Sequence, residues 1–188
     1  MVSGLSRLAL AAALALAAAL PASAQTINSH EYAEPYASVR GWDVYVMSDG
    51  RGRFSCRAVR GAGYNDQLMI EYNGFAETEF GESPWRLYLP AQRPGGGGVG
   101  IQGAAVYYDG YLIDRQVGFG LPGDDGSSDT HAWMGLGDSE MARLKSGNTL
   151  RVEITGETSR SYPLAGTTAT VLKTWECAER NGMLVDGD

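Results

Sequence analysis

From Trp42 onward the chain alternates apolar and polar positions. Trp42, Val44 and Val46 are separated by Asp43, Tyr45 and Met47, the period of two that marks a strand with one buried face. Ser48-Asp49-Gly50-Arg51-Gly52 ends it in a turn. The next strand sets Phe54, Cys56 and Ala58 on an apolar face and Arg53, Ser55 and Arg57 on the other. Leu68, Ile70 and Tyr72 build a third, and Trp85, Leu87 and Leu89 a fourth that stops at Pro90. Two strand-like runs, Ile101 to Tyr108 and Tyr111 to Phe119, flank Asp109-Gly110, a dipeptide that tolerates the positive φ of a two-residue hairpin turn. That turn pairs Tyr108 with Tyr111 and Val106 with Ile113.

A short strand around Ala132 to Met134 leads to Asp138-Ser139, expected as the N-cap of a two-turn helix that runs through Leu144 and stops at Gly147. Leu150, Val152 and Ile154 alternate as another strand, and Tyr162 to Leu164 is a last short one. Thr167 or Thr168 is expected to cap a final helix with Val171, Leu172, Trp175 and Ala178 as its apolar stripe, closed near Gly182. Residues 25–39 are polar, with two tyrosines and no period, and read as a flexible N-terminal arm. Residues 40–188 are therefore expected to form a single domain, mainly β: an antiparallel β-sandwich or flattened barrel of about eight strands, with two short helices over an edge or an open end.

The first 24 residues stand apart from this pattern. Arg7 precedes an apolar run from Leu8 to Leu20, shorter than the ~20 residues of a spanning helix, and Ala22-Ser23-Ala24 gives the small-x-small site of a cleaved signal peptide. The mature chain is expected to begin at Gln25, to carry no integral membrane segment after cleavage, and to be periplasmic or secreted. Loss of Arg7 takes the formal net charge from −7 to −8. So acidic a domain excludes nucleic acid as a partner, because phosphate binding needs a concentrated positive field. Cys56 and Cys177, 121 positions apart, are the only cysteines, and in an exported chain they are expected to form a disulfide that pins the last helix to the strand of Cys56. With neither a CxxC spacing nor a paired histidine, they are not read as metal ligands or a catalytic thiol.

Candidate chemistry is sparse. Gly98 to Gly103 matches GxGxxG, yet a glycine loop precedes it and a strand follows, the reverse of a dinucleotide site, and no cofactor is expected. Asp124, Asp125 and Asp129 lack the regular alternation of a calcium loop and read as a solvated turn, so no metal is expected. Glu77, Glu79 and Glu82 lie in another acidic connection. Arg51, Arg53 and Arg57 share the outer face of one strand, a basic stripe able to meet an anionic partner surface. Tyr107, Tyr108 and Tyr111 gather at the hairpin, where tyrosine serves either recognition or packing at the core edge. These six residues are the candidate binding set, and no catalytic residue is assigned. The rival readings are an inhibitor of secreted peptidases acting through Gly95 to Gly100, and a small hydrolase using His131 with Asp129 or Ser139.

The order of pieces resembles the invasion-associated locus B family of small exported bacterial proteins. The resemblance lies in Gly41-Trp42-Asp43-Val44, Cys56, Leu87-Tyr88-Leu89-Pro90 before a glycine-rich stretch, and Tyr108-Asp109-Gly110. Leu144 to Thr149 and Tyr162 to Gly166 extend it, so that it covers roughly residues 41 to 175. A further cysteine pair that family members carry in mid-domain is absent, and the Asp124 to Asp129 loop stands there instead. The resemblance implies a β-sandwich-like domain in the periplasm or outside the cell, associated in pathogens with entry into host cells, and it transfers no catalytic residue. The expected function is a non-catalytic binding or interaction module of the cell envelope with a protein partner.

Overall fold

Alternation along each strand becomes layered rows once the strands are in register. In the computed structural model, which describes residues 32–48, 53–61, 67–74, 83–90, 101–119, 131–154 and 159–183, Val44, Ala58, Ile70, Leu87 and Met134 line up side by side across five strands. All five are buried in one core. The strands are β1 (Tyr32–Val39), β2 (Trp42–Ser48), β3 (Phe54–Arg60), β4 (Leu68–Tyr72), β5 (Trp85–Pro90), β6 (Ile101–Tyr108), β7 (Tyr111–Phe119), β8 (His131–Gly135), β9 (Thr149–Ile154) and β10 (Arg160–Pro163). Two helices, α1 (Asp138–Ser146) and α2 (Thr167–Arg180), complete the described elements.

Every pairing is antiparallel, in the order β1-β2-β3-β4-β5-β8-β7-β6-β9-β10. Six strands, β1 to β5 with β8, form one half, and β7, β6, β9 and β10 form the other. Among the described residues the strand ladder joins the halves through two residue pairs, Gly118 with Trp133 and Phe119 with Ala132. The outer strands β1 and β10 do not pair, so the fold is the expected sandwich type and not a closed barrel. Val106, Leu150, Val152 and Ile154 of the smaller half share the core of the larger. Arg60 of β3 ties the two ends together by donating from Nη1 to the carbonyls of Pro163 and Ala165, each at 3.1 Å.

The hairpin forms as expected, with Tyr108 opposite Tyr111 and Val106 opposite Ile113. Asp109 and Gly110 take φ of 49° and 85°, the left-handed pair that such a turn demands. The Asp109 carboxylate then accepts the backbone amides of Asn148 and Thr149 at 3.0 and 2.8 Å, which hold it below the usual carboxylate range and fix the start of β9.

Four expectations need correction. Residues 32–39 are not a flexible arm: Tyr32–Val39 is an edge strand, with a register shift between Pro35 and Ala37 that breaks the period of two. Tyr36 anchors it by donating to Glu176 of α2 at 3.0 Å. Ten strands stand where about eight were expected, and β1 is the clear addition. The N-caps are Gly137 and Gly166, one residue before the polar side chains expected there. Gly166, at φ 89°, abuts the β1–β2 turn so closely that an added Cβ would lie 2.6 Å from the Cβ of Arg40. Thr167 and Thr168 serve the other helix instead, their hydroxyls reaching the carbonyls of Leu144 and Lys145 at 2.6 and 2.5 Å, acceptors left over at the C-terminal end of α1. Finally, Leu172 is not part of the buried stripe of α2 and is 63% exposed. The buried face is Thr167, Thr170, Val171, Thr174, Cys177 and Ala178. Two of its threonine hydroxyls are satisfied within the helix, Thr170 on Gly166 and Thr174 on Thr170, and that of Thr167 on the carbonyl of Leu144, which lets a polar stripe be buried at low cost.

Cys56 and Cys177 form the expected disulfide, with Cα atoms 6.1 Å apart and both residues fully buried. It fastens α2 to β3.

The larger half also buries its second face, which holds Ala33, Met47, Val59, Met69 and Tyr88. Arg57 belongs to this face. It stands directly opposite Glu71, which stands opposite Arg86, so a cation, an anion and a cation form a row across β3, β4 and β5. Arg57 reaches one Glu71 oxygen from Nε at 2.8 Å and from Nη2 at 2.5 Å, with both residues wholly shielded from water. Removing one partner strands the other charge, so Glu71→Ala is expected to cost about 3–5 kcal/mol in urea denaturation, while replacing the whole row, Arg57→Met with Glu71→Leu and Arg86→Met, recovers most of the loss. Equal losses in the single and triple variants would show that the charged row is not what that face depends on.

Candidate functional site

Neither described member of the basic stripe is fully exposed. Arg51 lies outside the described residues, Arg53 is half-buried, and Arg57 is spent on Glu71 with its guanidinium 5.1 Å from the Tyr88 ring centre. The physical reason is that the polar side of β3 faces apolar neighbours on β4 and β5, so charge there is paired and buried. The tyrosines divide. Tyr108 is buried in the core, while Tyr107 and the 56% exposed Tyr111 each carry an arginine over the ring, Arg151 and Arg143, both at 3.7 Å. Arg151 is also paired with Glu153.

The hydrolase candidates are not brought together. His131 is completely buried on the second face, at the start of β8. Burial pushes its pKa down to about 4, the Arg57 and Arg160 charges act in the same direction, and a backbone hydrogen bond with Gln67 opposes them. Ser139 lies in α1, where its hydroxyl donates to the adjacent Glu140 at 3.1 Å, and Asp129 lies outside the described residues. Glu77, Glu79, Glu82, Gly95 to Gly100, Asp124 and Asp125 also lie outside them. Ile101 to Gly103 lie in β6, so the GxGxxG string runs into a strand. Tyr88, opposite Trp133 of β8, has its ionisation suppressed by burial first and by the Glu71 carboxylate second.

The recess that does form lies where α1 and α2 cross the beginning of β5. It encloses about 650 Å³ and is lined by Ser83, Trp85, Leu136, Asp138, Met141, Lys145, Val171, Leu172 and Trp175, with Pro84 and Gly137 at its margin. Trp85 and Trp175 lie nearly parallel, 19° apart with ring centres 6.3 Å apart, and Tyr72 meets both edge-on at 5.1 and 5.3 Å. Tyr72 is fully buried behind them, so the two indoles are held in place and half-exposed. Leu172 projects at the rim.

None of these residues was in the expected binding set. The one signal for them in the chain is Leu172 beside Val171 and Trp175, a stripe too wide for the single buried face that α2 uses. A volume of this size with mostly apolar walls and a few polar groups has the form of a small-ligand site. Among the described residues no group of three histidine, cysteine or carboxylate side chains is placed to hold a metal ion.

The depressed pKa of His131 has a consequence for stability. Folded His131 stays neutral down to about pH 4, whereas in the unfolded chain it takes a proton below the ordinary 6.5. The stability this lends is complete above pH 6.5 and is lost as pH falls toward 4, by about 3 kcal/mol in all. Urea midpoints measured across that range should fall more steeply for the native protein than for His131→Gln. Parallel pH profiles would contradict the assignment.

Compared with protein-family models, with curated proteins and with solved structures, the chain matches none.

Proposed function

We propose that this is a non-catalytic binding protein of the cell envelope, exported to the periplasm or beyond, which takes its ligand in the cleft between α1, α2 and the start of β5. The observation that carries the reading is the half-open recess of about 650 Å³ with two fixed tryptophans and an exposed leucine at its mouth. An apolar side chain 63% exposed beside a preformed aromatic wall gains on being covered, by about 25 cal/mol for each Å² removed from water. The polar groups at the cleft, Asp138, Lys145 and Ser83, include no nucleophile with an adjacent base: the Ser83 hydroxyl donates to the carbonyl of Leu136 at 2.6 Å.

Export is supported by the leader-like first 24 residues and by the disulfide, which persists in oxidising compartments. Among the described residues no helix is long and apolar enough to cross a membrane. The resemblance to the invasion-associated locus B family, which implies a β-sandwich-like domain in the periplasm or outside the cell with no established enzymatic activity, agrees with this reading.

Affinity capture from envelope extract with the mature, oxidised protein, read by mass spectrometry, tests it. A component held by the native protein and by Arg53→Glu should be lost with Leu172→Glu, whose melting temperature should stay near that of the native protein because Leu172 is exposed. Retention by Leu172→Glu would overturn the cleft as the site, and retention of nothing by the native protein would overturn the binding reading.

A further inference from the structure

Three residues of α1 face the cleft, Asp138, Met141 and Lys145, at spacings of three and four that keep them on one side of the helix. Asp138 and Lys145 are two helical turns apart, about 10 Å along the axis, with the apolar wall between them. Both are exposed, and neither side chain makes an ion pair among the described residues. Attraction to the helix dipole accounts for an acid in the first turn and a base in the last. Glu140 and Arg143 already meet that preference, and the dipole does not explain why Asp138 and Lys145 share the side that opens on the tryptophans.

The charge pattern discriminates among ligands. A sugar needs several free hydrogen-bonding groups along the aromatic wall, but the Ser83 hydroxyl is engaged with the Leu136 carbonyl and the Trp85 amide. A fatty acid would meet Lys145 and the apolar wall, and leave its chain against the carboxylate of Asp138. A dipolar ligand with a cation at one end, an anion at the other and an apolar middle meets every feature. Extended peptide advances about 3.3 Å per residue, so about three residues span the interval between the two charges.

We infer that the cleft binds a free tripeptide with an apolar central side chain, laid extended along α1. Its terminal ammonium meets Asp138, its terminal carboxylate meets Lys145, and its central side chain lies among Trp85, Trp175 and Leu172. This rests on the cleft being the ligand site.

The test is a titration of the mature, oxidised protein with Ala-Leu-Ala in three forms, with free ends, N-acetylated and C-amidated, followed by tryptophan emission and by calorimetry. The free peptide should bind, and blocking either end should weaken binding at least tenfold. Lys145→Gln should bind the free and the amidated peptide alike, and Asp138→Asn should do the same for the free and the acetylated one, because each variant removes the group that the blocked end would have met. Equal binding of blocked and free peptides by the native protein overturns the inference, as does the absence of any binding at millimolar concentration. If no peptide binds while Leu172→Glu still loses its captured component, the tripeptide is wrong and the cleft stands. If Leu172→Glu keeps that component as well, both readings fall.

Discussion

The arrangement of helices over the sheet depends on the bond between Cys56 and Cys177. It joins the middle of a central strand to the last turn of α2, across 121 positions of chain, at a point where both residues are fully buried. Restricting so long a loop in the unfolded chain is worth on the order of 2–5 kcal/mol in the native protein's favour. Once α2 is fixed at that end, its other end organises α1. Gly166 fits against the β1–β2 turn where no side chain could, and the hydroxyls of Thr167 and Thr168 take up the last carbonyls of α1. The cleft is the space left between two helices clamped in this way and the entry of β5. Its geometry is therefore a consequence of the disulfide and of three residues at one helix start.

A second constraint comes from the larger half of the sandwich, which is buried on both faces. Such a sheet cannot leave charge on its strands unpaired. Arg57, Glu71 and Arg86 meet the constraint by standing opposite one another across three strands. Arg86 also stands over Trp133 at 5.1 Å, as Arg57 does over Tyr88. The same shielded environment keeps His131 neutral, so this face couples the folded state to pH although it contributes nothing to the cleft.

Much of the fold was legible in the chain because strand alternation and turn chemistry are local. The Asp109-Gly110 hairpin, the strand ends at Pro90 and Ser48, both helices and the disulfide follow from residues close in sequence or from the simple count of cysteines. What was illegible depends on neighbours distant in sequence. Arg57 looks like part of a solvated strand face until Glu71 and Tyr88 are known to lie beside it, although Met69 and Tyr88, together with Met47, Val59 and Trp133, form an apolar set at the supposedly outer positions. The β1 strand was hidden by its bulge at Pro35. The cleft was hidden because it takes one wall from each of three segments: Trp85 from β5, Met141 from α1, and Leu172 with Trp175 from α2.

On the proposed reading, the binding surface is set by the placement of α1 and α2 over the start of β5. The most direct test is hydrogen–deuterium exchange of the mature, oxidised protein with and without the peptide-sized fraction of an envelope extract. Protection confined to α1, the stretch of α2 from Val171 to Trp175 and the start of β5 is the predicted result, and protection centred on the β6–β7 hairpin, or none anywhere, would contradict it.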